Sequence, residues 1–279
     1  MKRVVFQSRL PGNGREFESV IAALKAYAEN ISSDSNSAKL ATLVHKSAYA
    51  ALGVKDPYLE LKIEADDVAE RFMQESERFV NGSPDRLRAA IRISIIGNIM
   101  DFGSGIAIDD PKEFSDMFKT LLEQDIGWDD VDLLEEAVEK GRTVIYIFDN
   151  CGESQFDKIL IRELRMLGKR VVGVVRGEPI LNDVTYSDAV RIGLDLELDS
   201  LLTTNAFAIG LDLNMIGSDL RKEIAGASVM IAKGMANYES LSDEVLDIPL
   251  FYLLKAKCVP VAVSLGVDLG TNVVKMHGQ

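Results

Sequence analysis

The hydropathy rhythm of this chain changes once along its length, and that change restricts the possible folds more than any single motif. From about Glu16 to Leu122, apolar residues recur at three- and four-residue spacing with almost no strand signal. The spacing predicts helices over Phe17 to Asn30, Ala38 to Leu52, Tyr58 to Phe79 and Pro84 to Met100. Asp56-Pro57 should open one of them. Ser83-Pro84-Asp85 should open another, with a cap residue and proline at the first helical position. Beyond about Asp129, short apolar runs alternate with helical stretches, giving strands at Thr143–Phe148, Arg170–Val175, Ser200–Thr203, Ser228–Ala232, Pro249–Leu254 and Asn272–Met276. Strands separated by helices imply right-handed crossovers and a mainly parallel sheet. The predicted fold is therefore α/β, with an all-helical N-terminal domain over residues 1–128 packed on a Rossmann-like, mainly parallel sheet domain over residues 129–279. Between them lies no Pro/Ser-rich linker, so one compact unit is expected.

Composition narrows the function classes. A chain of 279 residues with 47% hydrophobic and 27% charged side chains can bury a large core and has a soluble globular balance. The formal net charge of −13 argues against a nucleic-acid partner, which would need a basic face. It leaves room for an anionic small molecule held by a local metal and one or two lysines. No stretch approaches the roughly 18 apolar residues of a membrane span, and the apolar part of Met1-Lys2-Arg3-Val-Val-Phe is too short for a signal peptide. Two cysteines, Cys151 and Cys258, cannot build a disulfide framework, which points to a reducing cytoplasm. Two histidines, His45 and His277, make a histidine zinc site or a catalytic triad improbable. Gly12-Asn-Gly14 and Gly103-Ser-Gly105 lack the preceding strand and spacing of a dinucleotide loop.

The chemistry collects at strand ends. The buried strand Thr143–Phe148 runs straight into Asp149-Asn150-Cys151-Gly152-Glu153, ahead of a helical stretch from Ser154 to Leu167. Open α/β sheets bind ligands at the carboxyl ends of their strands. Two further polar clusters follow strands, Arg176-Gly177-Glu178-Pro179-Ile-Leu-Asn182-Asp183-Val-Thr185 and Lys233-Gly234-Met-Ala236-Asn237-Tyr238-Glu239. On parallel strands all three converge on one rim. Asp149, Asn150 and Asp183 would supply three oxygen ligands to a divalent metal with open positions for water and substrate, and Lys233 could reach a phosphate oxygen. That is the outline of a metal-assisted phosphate-ester hydrolase. Each piece has a plainer use when taken alone: Asp149-Asn150 as a turn or helix cap, Asn182-Asp183 as an N-cap, Lys233 as a surface lysine. Cys151, with no histidine partner, reads as a packed side chain, and Cys258 as core.

These motifs, together with Asp56-Pro57-Tyr58-Leu-Glu60-Leu-Lys62, Gly97-Asn98-Ile-Met-Asp101-Phe102 and Phe251-Tyr-Leu-Leu-Lys255-Ala-Lys257-Cys258, resemble the DUF89 family of ARMT1-like, metal-dependent damage-control phosphatases, in its short archaeal and bacterial branch. The likeness covers roughly residues 40 to 279. It implies a helical domain beside a Rossmann-like domain, a divalent metal such as Mn2+, Co2+, Ni2+ or Mg2+ held by Asp149, Asn150 and Asp183, and hydrolysis of small phosphorylated, often damaged, metabolites such as sugar phosphates. The ion would polarise the phosphoryl oxygen and activate a water. Lys233 and backbone N–H groups near Gly152 to Ser154 would neutralise charge on the phosphate, and Glu153 would orient or deprotonate the water. Asp149 as a covalent nucleophile is the competing mechanism. Asn98 and Asp101, one turn apart on one helix face, would close over the substrate, with Asn237 and Glu239 as further substrate-binding candidates. Asp56, Pro57, Tyr58 and Lys62 read as structural. The chain departs from its relatives in two ways. It lacks an N-terminal Cys-x-x-Cys pair, so its first 15 or so residues are expected to be irregular, and Ala236 stands for the second glycine of the third motif. A metal-stabilised phosphometabolite-binding protein without turnover is the alternative function, and a carboxyl methyltransferase a weaker one. The oligomeric state is not legible.

Overall fold

Runs rich in Val, Ile, Leu and Phe build a seven-stranded sheet, because an apolar run with no polar face is stable only when covered on both sides. The computed structural model describes residues 1–33, 35–101 and 113–278; Phe102 and the Gly103-Ser-Gly105 segment lie outside the described residues. The strands are β1 (Ile126–Asp129), β2 (Thr143–Ile147), β3 (Arg170–Val175), β4 (Ser200–Thr203), β5 (Val229–Lys233), β6 (Leu250–Lys255) and β7 (Asn272–Met276). Their order across the sheet is β1-β7-β6-β5-β2-β3-β4. Every neighbouring pair is parallel except β6 and β7. The chain steps from β2 outward to β3 and β4, then returns to place β5 on the other side of β2. The reversal leaves a crevice between the carboxyl ends of β2 and β5, where α/β sheets carry their sites. Register brings Ile147 level with Val174 on one side and Ala232 on the other, so the three strands end together.

Seven helices precede or flank the first strand: α1 (Lys2–Arg9), α2 (Glu16–Asn30), α3 (Ser37–Leu52), α4 (Leu59–Glu70), α5 (Met73–Asn81), α6 (Arg86–Gly97) and α7 (Glu113–Leu122). The sheet's own helices are α8 (Val131–Lys140), α9 (Glu153–Met166), α10 (Tyr186–Arg191), α11 (Ser218–Ala225), α12 (Gly234–Leu241) and α13 (Val259–Leu265), with a 3₁₀ turn at Leu194–Glu197. No helix among the described residues is long and apolar enough to cross a membrane.

Five expectations need correction. The start of the chain is helical, not irregular: α1 buries Val4, Gln7 and Ser8, and the Ser8 hydroxyl bonds the Val4 carbonyl and the Ser19 hydroxyl. The single helix expected over Tyr58 to Phe79 is two, because tight turns at Arg71 and Phe72 swing Phe72 into a ring cluster with Phe114 and Phe118. Phe156 of α9 joins that cluster, 5.5 Å from Phe114, and so fastens the helices to the sheet layer. Asp85, not Ser83, caps α6, accepting from the Arg88 N–H, so Pro84 lies outside the helix. The same helix stops at Gly97, and Asn98 to Asp101 follow in tight turns because the Asn98 side chain is spent on tertiary partners. Asn98 and Asp101 therefore do not share a helix face. Finally, β1 was unforeseen; it is a four-residue edge strand with every other residue exposed, and it carries little apolar signal.

The helical layer is also tied to the sheet by ions. Lys62 of α4, fully buried, donates to Asp56 at 3.0 Å and to Asp188 of α10 at 3.1 Å. Arg191 bridges Asp188 and Asp66 of α4. Thr185 caps α10 with a reciprocal box to Asp188, which fixes that carboxylate for Lys62.

Candidate active site

The chain beyond β2 does not leave the sheet at once. Asn150 pairs with Asp183 in an antiparallel bridge, the Val184 N–H donates to the Asp149 carbonyl at 2.9 Å, and the Cys151 N–H to the Asn182 carbonyl at 2.9 Å. A short ladder thus draws the segment after β3 alongside the segment after β2 and places Asp149, Asn150 and Asp183 together. All three line a cavity of about 270 Å³ at the switch point. The rest of its wall includes Arg3 of α1, Ala38 and His45 of α3, Asp101 beyond α6, and Met235 and Glu239 of α12.

Of the residues singled out from sequence, Asp149, Asn150, Asp183, Asp101 and Glu239 face this cavity. Glu153, Lys233, Asn98 and Asn237 lie a layer behind it, all fully buried. Lys233 donates to Glu153 Oε1 and Asp157 Oδ1, each at 2.7 Å, and to the Ser94 carbonyl at 3.0 Å, so its three N–H bonds are spent away from the cavity. Burial disfavours its charge, but Asp157 and Glu153 outweigh that and hold its pKa above the ordinary value. Glu153 is occupied on both oxygens: Lys233 takes Oε1, while Asn98 Nδ2 at 2.9 Å and Asn150 Nδ2 at 3.0 Å take Oε2. The Gly152 N–H donates to Asp66 at 2.6 Å and so is not available to a ligand.

Asp149 is oriented from several sides. Asn150 Nδ2 donates to its Oδ2 at 2.8 Å and Asn98 Nδ2 at 3.4 Å. Gly234, at φ +72°, lets the start of α12 come so close that a Cβ there would overlap the Asp149 carboxylate. The other oxygen, Oδ1, is buried with no hydrogen-bond partner, 3.6 Å from Arg176 Nη2, which is also without one. Burial first, then the Asp183 and Glu153 charges, push the Asp149 carboxyl well above the usual range. Asp183 is raised by burial, opposed by Arg176, whose Nε donates to Asp183 Oδ2 at 2.6 Å. Asn237 steadies that arginine, accepting from Nη1 at 3.2 Å while donating to the Phe148 and Lys233 carbonyls. Asp101 receives Arg3 at 2.6 Å and Lys257 at 3.1 Å; despite burial, these cations hold its carboxyl below the usual range. Burial raises Glu239.

Among the described residues, no three His, Cys, Asp or Glu side chains form a metal-holding group. The candidate set is two carboxylates and an amide, whose hard oxygens suit Mg2+ or a first-row divalent ion rather than a thiolate-seeking one. Two features fit such an ion: the unpartnered Asp149 Oδ1, and the local charge balance. Carboxylates Asp101, Asp149, Glu153, Asp157, Asp183 and Glu239 face cations Arg3, Arg176, Lys233 and Lys257, an excess of two negative charges. One divalent ion would balance it.

Arg3, Arg176 and Lys257 had no role assigned from sequence. Arg176 carried the same signal as Lys233, a cation directly after an apolar strand, whereas Lys257 lies two residues beyond β6 and carried a weaker one. Arg3 carried none, since its partner Asp101 is 98 residues away.

Comparison with known proteins gives consistent matches. The family model described as "Damage-control phosphatase ARMT1-like domain" matches residues 1–273. A damage-control phosphatase of Archaeoglobus fulgidus is 38% identical over 277 residues, covering 98% of this chain and 95% of the relative. A damage-control phosphatase of Pyrococcus horikoshii is 32% identical over 255 residues, covering 91% and 86%. The crystal structure of a DUF89 family protein from Pyrococcus horikoshii superposes with a TM-score of 0.86 at 28% identity, covering 99% of this chain and 94% of that one.

Proposed function

The chain belongs to the damage-control phosphatase ARMT1-like domain family, and from that premise we propose that it hydrolyses small phosphate monoesters, sugar phosphates among them, at the cavity beside Asp149. The family's phosphatases depend on a divalent metal. In this reading Asp149, Asn150 and Asp183 hold it, with Mn2+, Co2+, Ni2+ or Mg2+ as the candidates. The observation that carries the assignment is the buried, unpartnered Asp149 Oδ1 beside an excess of two negative charges. When bound, the ion would polarise the phosphoryl group and bring a water toward neutrality in pKa.

The chain's own residues divide the remaining work. Arg176 fixes Asp183, and Asn98 with Asn150 fixes Asp149. Lys233 acts as a positioning residue that locks Glu153, not as a phosphate contact, because its donors are spent. Glu153 is fully buried behind the cavity rather than on its wall, so it orients Asn98 and Asn150 instead of a water. Glu239 has no hydrogen-bond partner among the described residues and lies on the wall, where it can accept from a hydroxyl of the organic half of the substrate. Water is the favoured nucleophile, since a carboxylate holding the ion is poorly placed for in-line attack. The free cysteines, Cys151 buried and Cys258 half-buried, suit a reducing cytoplasm.

The test is protein stripped of metal and reloaded with each ion in turn, assayed for phosphate release from p-nitrophenyl phosphate, sugar phosphates and nucleotides. Release that requires a divalent ion supports the reading. Protein that retains metal and phosphate yet turns over nothing with any ion would sink it in favour of a binding protein.

A further inference from the structure

Four carboxylates reach the cavity wall, Asp101, Asp149, Asp183 and Glu239, and a phosphate dianion entering there meets strong repulsion. Three of the four cations in the neighbourhood cannot offset this by contact. Lys233, Arg176 and Lys257 are buried and do not line the cavity. His45 lines it but is held neutral: burial, with Arg3 and the N-terminal ammonium, lowers its pKa to about 3. Arg3 is the remaining cation, and among the described residues it is the one charged donor on the wall.

Its geometry suits the task. Arg3 projects from α1, and its side chain is 26% exposed. One nitrogen, Nη2, donates to Asp101 Oδ1 at 2.6 Å, which anchors that end of the guanidinium. Nε and Nη1 have no protein partner among the described residues. Asp183, a proposed metal ligand, is among the charges that act on it. Nη2 keeps a second N–H beyond the one given to Asp101, so one edge of the guanidinium, that N–H with its neighbour on Nη1 or Nε, can meet two oxygens of one phosphoryl group.

We propose that Arg3 is the phosphoryl clamp of this enzyme, gripping the substrate's non-bridging oxygens from the helical side, beside the metal that Asp149, Asn150 and Asp183 would hold. Asp101 is then the residue that aims the clamp, and Lys257 offsets part of its charge. The inference rests on the proposed phosphatase reading, but binding of inorganic phosphate tests it separately from turnover.

The experiment titrates inorganic phosphate into manganese-loaded protein by calorimetry, beside p-nitrophenyl phosphate kinetics, for wild type, Arg3→Gln, Arg3→Lys and the double variant Arg3→Gln/Asp101→Asn. Loss of a charge-assisted contact should weaken phosphate binding and raise KM by roughly 10- to 100-fold in Arg3→Gln, with bound manganese unchanged. Arg3→Lys, keeping the charge and losing the fork, should fall between. The double variant should stay weak, because neutralising Asp101 does not replace the donors. Full recovery in the double variant would overturn the proposal by showing that Arg3 only masks Asp101. So would wild-type phosphate affinity in Arg3→Gln, or loss of manganese along with phosphate. Should Arg3→Gln not fold, wild-type affinity in Arg3→Lys overturns it equally. If wild type binds phosphate through Arg3 but hydrolyses nothing, the clamp stands and the phosphatase reading falls.

Discussion

Two ionic clusters lie back to back at the carboxyl ends of β2 and β5, and they are built to opposite rules. In the rear cluster Lys233 sits among Glu153, Asp157 and the Ser94 carbonyl, each of its N–H bonds taken, with Tyr146 and Ser94 donating to the same Asp157 oxygen. In the front cluster Asp149 Oδ1 and Arg176 Nη2 are buried without hydrogen-bond partners, and Arg3 keeps open donors. Buried charge is tolerated when paired and is costly when not. The rear cluster also leaves one acceptor, Asp157 Oδ2, without a partner, but none of Lys233, Glu153 and Asp157 lines the cavity, whereas Asp149, Asp183 and Arg3 do. Unpartnered groups beside a cavity are shaped for a ligand, and a cluster closed off from it is part of the scaffold. The difference predicts that front substitutions cost activity more than stability, and that rear substitutions cost stability more than activity.

The largest expected effect is at the front. Asp149→Asn or Asp183→Asn should lower kcat by roughly 10³-fold, since an ion's electrostatic contribution of several kcal/mol is lost or displaced. Thermal stability without metal should hold or rise in Asp149→Asn, because like charges are removed, whereas Asp183→Asn weakens the pairing of buried Arg176 and should lose some stability. A variant of either residue that keeps near wild-type turnover would dissolve the distinction. At the rear, Lys233→Met strands Glu153 and Asp157 as buried anions and should cost about 3–5 kcal/mol of unfolding free energy, read by urea titration. A loss under about 1 kcal/mol would mean that the rear cluster is not structural. Gly234→Ala lies between the clusters. Its φ of +72° costs a substituted residue about 1–2 kcal/mol, and the added carbon must displace the Asp149 carboxylate. Activity should therefore fall by more than stability alone explains, and kinetics at a temperature where the variant is fully folded would show it.

Much of this arrangement was legible in the chain. Strands β2 to β7 announce themselves as apolar runs, and the meeting of Asp149, Asn150 and Asp183 follows from where parallel strands end. The strand ends themselves were less legible: β5 and β6 each run one residue further, to Lys233 and Lys255, which a hydropathy reading assigns to loops. Neither lysine's burial could be read locally. Lys233 finds Glu153 and Asp157 80 and 76 residues away in sequence, and Lys255 finds Gln124 131 residues away. Partners at such separations are fixed by topology, and no local pattern encodes them. The same holds for Asn98, whose helical spacing to Asp101 suggested a shared face until tertiary bonds ended the helix first.

The smallest predicted effect concerns the helical wall of the cavity, where His45 of α3 packs against Gln7 of α1 with Nδ1 2.7 Å from Oε1. Burial, reinforced by Arg3 and the N-terminal ammonium, lowers its pKa to about 3. In the unfolded chain the same ring titrates near its ordinary value of about 6.5. Between these values the unfolded chain binds a proton that the folded chain refuses, so folding is favoured fully above about pH 6.5 and less as pH falls toward 3. The loss at pH 5 should be about 2 kcal/mol. Carboxylates titrate over part of this range too, so the quantity to measure is the difference between wild type and His45→Gln, which keeps an amide donor for Gln7 and removes the titrating ring. The two urea-unfolding profiles should converge by that amount between pH 7 and pH 5. Profiles that stay parallel would show that His45 accepts a proton without opening the contact between α1 and α3. The front wall would then be softer than its burial implies, and Arg3, carried on that same first helix, would lose the rigid mount that a phosphoryl clamp needs.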